Sequence, residues 1–69
     1  MAIAVSEVKH RIASAGLTVA MVAEKLGIDE STYYRKMSNK GDTFTVRQIQ
    51  ELKNLLDLSS TEAREIFFP

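Results

Sequence analysis

Residues 18–37, TVAMVAEKLGIDESTYYRKM, read as a helix, a tight turn and a second helix. Thr18 opens the first, because its hydroxyl can accept from a first-turn amide that has no partner inside the helix. Leu17 and Val22 flank that cap at the spacing of a hydrophobic staple. Val22, Ala23 and Leu26 share one face at helical spacing. Gly27 follows directly, where a glycine lets the chain turn left-handed and stop. Ile28 and Asp29 repeat the start signal, with Asp29 as cap and Ile28 and Tyr33 as staple. Only Ile28 separates the stop from the second start. Helices joined by so short a turn cross steeply and closely, and the small Ala23 suits that crossing.

The second helix sorts its side chains by angle. At about 100° per residue, Tyr33 and Met37 fall on one side and Ser31 and Arg35 on the other. Tyr34 and Ser38 flank that outer face, and Glu30 sits in the first turn. The rest of the chain reads as support. A first helix is expected to run to about Ala15 and end at Gly16, with Val5, Val8, Ile12 and Ala15 as a buried stripe. Lys9, His10 and Arg11 lie largely off it, and His10 reads as a solvated surface residue. Met1–Val5 is either a frayed end or the first turn of that helix. SNKGDTF, residues 38–44, is a loop by composition, with Asn39 and Gly41 suited to positive φ.

Thr45 with Gln48 has the pattern of a capping box, and Phe44 with Ile49 that of a staple, so a fourth helix starts here. Ile49, Leu52 and Leu56, joined by Val46 and Leu55, should form its apolar face. Leu58, Ser59 and Glu62 repeat the capping signal for a fifth helix, whose Ala63, Ile66 and Phe67 pack back on the core. Phe68 lies about 100° from Phe67. It either covers the core edge, the preferred reading in so short a chain, or joins a dimer contact. The closing Ile66–Pro69 reads as a natural end.

With 69 residues the chain has room for one domain, 1–69, and a modest core. It has no cysteine and one histidine, which excludes disulfides and makes a zinc site a poor reading. No stretch approaches a membrane span and the N-terminus has no leader pattern, so the expected location is cytoplasmic. Nine basic and nine acidic residues cancel. Locally they do not. From Glu30 to Gln50, Arg35, Lys36, Lys40 and Arg47 outnumber Glu30 and Asp42, for a net of +2. From Glu51 to Pro69, Glu51, Asp57, Glu62 and Glu65 outnumber Lys53 and Arg64, for a net of −2.

The small residue at 23, the glycine at 27 and the apolar residue at 33 fit a DNA-binding helix-turn-helix. Over about residues 5 to 67 the chain resembles the Xre-type, lambda-repressor-like regulators, and especially their small phage Cro-like members, some of which use an end such as Met1–Val5 in a strand. The resemblance implies an all-α, compact five-helix DNA-binding domain with its helix-turn-helix at about 18–38. The helix at about 30–38 would enter the major groove, making Glu30, Ser31, Tyr34 and Arg35 the base-reading candidates. Arg35 suits guanine, Glu30 can accept from cytosine, and Ser31 is permissive. The loop after that helix runs beside phosphates in the family, which implies backbone contacts from Asn39, Lys40 and Thr43. Thr18 opens a helix end whose amides can bind a phosphate. Arg47 sits in a first turn, where a cation opposes the helix dipole unless an anion such as a phosphate lies near.

The expected function is therefore a sequence-specific transcriptional regulator of the Cro-like repressor type. It would bind double-stranded DNA as a homodimer, with half-sites about one helical turn apart. No cofactor, metal, small-molecule ligand or membrane is expected. Two features depart from the family. Val19 stands where relatives often carry a phosphate-binding glutamine, and Asp29 and Glu30 place two carboxylates at the groove-entering end. With the neutral charge, they favour an alternative: an antirepressor or modulator whose helix meets the basic surface of a partner repressor. An enzyme is rejected for want of a nucleophile–base pair, a metal set or a phosphate-cradling glycine loop.

Overall fold

The structure is a computed structural model that describes residues 2–39 and 43–69. Five helices follow in order: α1 Val5–Ser14, α2 Val19–Leu26, α3 Glu30–Ser38, α4 Val46–Leu55 and α5 Ser60–Phe67. Among the described residues there is no strand, and no helix is long and apolar enough to cross a membrane.

Four of the helices begin on a side-chain cap at the expected residue. The Thr18, Asp29, Thr45 and Ser59 side chains accept from the amides of Met21, Thr32, Gln48 and Glu62. Both expected capping boxes close, with Gln48 and Glu62 accepting in return from the amides of Thr45 and Ser59 at 2.9 Å. Such a cap contributes about 1 kcal/mol.

Three helix ends share one construction. After α1, α2 and α4 the chain enters the left-handed region, at Gly16 (φ 73°), Gly27 (φ 73°) and Asp57 (φ 52°). The amide of the next residue then donates back to a carbonyl five positions earlier: Leu17 to Ile12, Ile28 to Ala23 and Leu58 to Lys53. These bonds satisfy carbonyls that a helix end otherwise leaves open. The apolar residue that makes the bond immediately precedes the next cap, so one residue closes a helix and sets the entry angle of the following one.

α2 packs on α4 and α3, and α1 on α5. Between them lie Val8 and Ile12 of α1, Val22, Ala23 and Leu26 of α2, Tyr33 of α3, Leu52 of α4, and Ile66 and Phe67 of α5, all buried. Each large member contributes about 1.5–3 kcal/mol by leaving water. Ala23 is 2% exposed, as the close crossing of its helix requires.

Several expectations fail in part. Val5 opens α1 after the cap residue Ala4, as the first-turn reading has it, but residues 2–4 are non-helical. Ile3 is buried, and the Ala4 amide donates to the Ile66 carbonyl at 2.7 Å, tying this arm to α5. α1 ends at Ser14 with Ala15 as its cap, close to the expected end, but Ala15 is exposed and drops out of the buried stripe. Asn39 has φ −91°, so it does not take the positive φ expected of it, and Gly41 lies outside the described residues. Val46 is 76% exposed, since the start of α4 turns it about 120° away from the buried Leu52. Phe68 is 66% exposed and does not close the core.

Candidate nucleic-acid interface

α3 is held in phase by one ring. Tyr33 is 3% exposed and meets Phe44 edge-on, with ring centroids 6.3 Å apart. Burial pushes its phenol pKa up, helped by the neighbouring Tyr34. With Tyr33 inward, Ser31 and Arg35 are exposed on the opposite side, Tyr34 is exposed on its flank and Glu30 is exposed in the first turn. The four base-reading candidates are therefore all accessible. Tyr34 stands nearly perpendicular against Tyr33, with centroids 5.8 Å apart and planes at 82°, so the buried ring orients the exposed one.

A hydrogen-bonded chain runs along the start of this face. The Arg35 guanidinium donates to the Thr32 hydroxyl at 3.2 Å. The Thr32 amide and the Ser31 hydroxyl both donate to the Asp29 carboxylate, at 2.8 and 3.1 Å. Those bonds, from Thr32 first and Ser31 after it, hold the Asp29 carboxyl below its ordinary range. Ser31 thus has its proton committed and offers lone pairs outward, while Arg35 keeps most of its five donors. Glu30 has no hydrogen-bond or ion-pair partner among the described residues.

The backbone-contact candidates are dispersed. Thr18 caps the start of α2, where the open first-turn amides lie. Next to that start, Val19 shares an apolar cleft of about 270 Å³ with Val5, Lys9, Tyr34 and Met37. Val19 is half-buried, so its side chain serves packing. Asn39 ends α3 and is exposed, Thr43 is exposed just before Phe44, and Lys40 lies outside the described residues. Arg47 is at the other end of α2 from Thr18. It lines a groove with Glu24, Lys25, Gly27, Gln48 and Glu51. Carboxylates thus share the Arg47 groove, though among the described residues neither pairs with it, and Arg47 does not line the cleft that Tyr34 borders.

Lys36 is the residue that reading along the sequence missed. Its ammonium donates to the Thr43 carbonyl at 2.8 Å and sits 5.6 Å from the centre of the Phe44 ring. It clips the return of the chain to α3, so of the two cations side by side on that helix only Arg35 faces outward freely. No spacing rule announces a bond across a loop. The aromatic at 44, following a lysine in the last turn of a helix, was the only signal.

Among the described residues no group of histidine, aspartate and glutamate is placed to hold a metal ion. The fold and this face together define a small all-helical protein whose third helix presents a polar, partly aromatic outer side. No protein-family model, curated protein or solved structure matches the chain.

Proposed function

We propose that this protein is a sequence-specific DNA-binding regulator of the lambda-repressor-like, Cro type, a binding protein and not an enzyme. What supports the reading is the outer face of α3, where Ser31, Tyr34 and Arg35 are exposed above a buried Tyr33 on a helix joined to α2 through Gly27. In this reading α3 enters the major groove of duplex DNA, and two copies bind half-sites about one turn apart. Arg35, steadied by Thr32, reads guanine; Glu30 accepts from cytosine; Tyr34 lays its ring against a thymine methyl or the sugar edge. Thr18, Asn39, Lys40 and Thr43 fix the protein on phosphates. Arg47 has the weaker case among the backbone candidates, given Glu24 and Glu51 in its groove.

One observation favours the antirepressor alternative. The exposed Tyr34 borders an apolar cleft of about 270 Å³ that includes Val19 and Met37. An aromatic side chain beside an apolar hollow is the composition of a protein-binding centre, and Glu30, exposed at the start of the same helix, would meet a basic partner surface.

The test is selection of duplexes from a random pool at low salt, followed by titration of selected and scrambled duplexes. Enrichment of a two-fold symmetric site with guanine at the position lost in Arg35→Ala supports the regulator. No duplex binding at low salt, together with a salt-sensitive complex with a partner repressor that Glu30→Gln weakens, overturns it in favour of the antirepressor.

A further inference from the structure

From Glu51 onward four carboxylates outnumber two cations, and none of the four lines the groove that holds both cations. Glu62 is bound to Arg11, and Glu51 lines the Arg47 groove. Lys53 and Arg64 both line a different groove, of about 250 Å³, between α4 and α5. Its apolar lining is Ile49, Ala63, Phe67 and Phe68, and among the described residues no carboxylate lines it. Phe68 and Ile49 are shared with an adjoining hollow of about 300 Å³ completed by Phe44 and Val46. Val46 and Phe68 are the two most exposed large apolar side chains described, and they border this one surface. Single exposed apolar residues are ordinary. Two of them around adjoining apolar hollows, rimmed by charge of one sign, form an interaction surface.

We infer that this surface docks an acidic, amphipathic segment of another protein. Two apolar anchors fill the hollows on either side of Phe68, and carboxylates between them meet Lys53 and Arg64. Charge selects the occupant. A second copy of this chain, meeting the surface two-fold symmetrically, would bring Lys53 and Arg64 of both chains to one rim with no carboxylate there. A nucleic-acid strand would find the cations, but with Phe44 and Phe67 buried only Phe68 exposes a ring, and one ring is no stacking platform. An acidic amphipathic segment satisfies both the apolar lining and the rim. No residue of α1, α2 or α3 takes part, so the surface is separate from the outer face of α3.

The experiment is selection on the full chain from a displayed library of short amphipathic peptides varied in charge, with affinities then measured by fluorescence anisotropy. The expected binders pair apolar anchors with aspartate and glutamate, and their complexes weaken as salt rises. Phe68→Ala lowers their affinity about tenfold or more. Lys53→Glu with Arg64→Glu shifts preference to lysine-bearing copies of the same peptides, and Arg35→Ala leaves binding unchanged. Circular dichroism melts check the folding of each variant, and Arg64→Glu alone, at an exposed position, serves should the double variant unfold. Selection of basic or neutral peptides, or acidic binders indifferent to both Phe68→Ala and charge reversal, overturns the inference. A wild-type dimer in sedimentation that Phe68→Ala dissolves assigns the surface to a second copy. Loss of duplex or single-stranded DNA binding in the charge-reversed variant assigns it to nucleic acid. Either result also overturns it.

Discussion

Replacing Tyr33 by alanine leaves a ring-sized void where α3 meets Phe44 and the α1–α2 side of the core. Removing a buried ring costs about 3–5 kcal/mol, a large share of the roughly 5–15 kcal/mol that holds a domain together. Tyr33→Ala should therefore melt far below the wild type or not fold, while Tyr33→Phe should melt close to it. Equal melts for wild type and Tyr33→Ala would contradict the inward phase of α3. The left-handed residues give a finer test. At Gly27 a Cβ would meet nothing within 4 Å, so Gly27→Ala bears only the conformational penalty of φ 73°, about 1–2 kcal/mol. Asp57 already bears part of that penalty at φ 52°, so Asp57→Gly should stabilise by up to about 1 kcal/mol. Urea unfolding midpoints shifting in opposite directions for these two variants would check both.

Between elements, Glu62 does two jobs. Its carboxylate accepts from the Ser59 amide at 2.9 Å, closing the cap of α5, and from Arg11 of α1 at 2.7 Å. Those two partners, the backbone bond first, hold its pKa below the ordinary glutamate value. Asp29 is depressed by the analogous cap on α3. A carboxyl whose folded pKa lies below its unfolded value adds stability that is complete above the ordinary carboxylate range. That contribution is lost as pH falls through the folded value. Asp29 is exposed and Glu62 only partly covered, so solvent screens both and the effect is modest. Glu62→Gln keeps an acceptor for the cap and removes the charge. Its melting temperature should fall less steeply than the wild type's at acid pH, with the two curves separated at neutral pH by the lost Arg11 pair. Parallel curves throughout would mean that the α1–α5 link does not titrate with folding.

For the whole molecule the discriminating prediction contrasts reading with positioning. If α3 reads DNA, Arg35→Ala should fold normally and lose about 1–3 kcal/mol on the selected duplex, with little change on a scrambled one. Lys40→Ala should weaken both duplexes alike and reduce the slope of log affinity against log salt by about one unit. Anisotropy titrations at several salt concentrations measure both. The same loss on both duplexes for both variants would remove the division between the two residues.

How much of this was legible along the chain depends on the range of the interaction. Caps, staples and glycine stops act within five residues, and the starts of α2 to α5 stand where Thr18, Asp29, Thr45 and Ser59 put them. Helical phase is likewise local, so the inward Tyr33 and the outward Ser31, Tyr34 and Arg35 followed from spacing alone. Contacts across loops and between ends did not. The Ile3 arm lies buried and tied to Ile66, Lys36 clips Thr43, Arg47 shares a groove with Glu24, and Val46 and Phe68 remain in the open. Each depends on what another helix brings alongside, and a pattern of residue types carries no information about that distance. Asp57 is the intermediate case. Its left-handed turn is local, but aspartate announces it weakly, and it is the packing of Leu58 into the core that keeps the chain there. The sequence by itself thus determined five helix-sized segments and most of their inward residues, Ala15 and Val46 excepted, because those are settled by neighbours in the chain. Tertiary structure alone decided which cations stay free and which apolar side chains go uncovered, because only packing fixes what lies next to each.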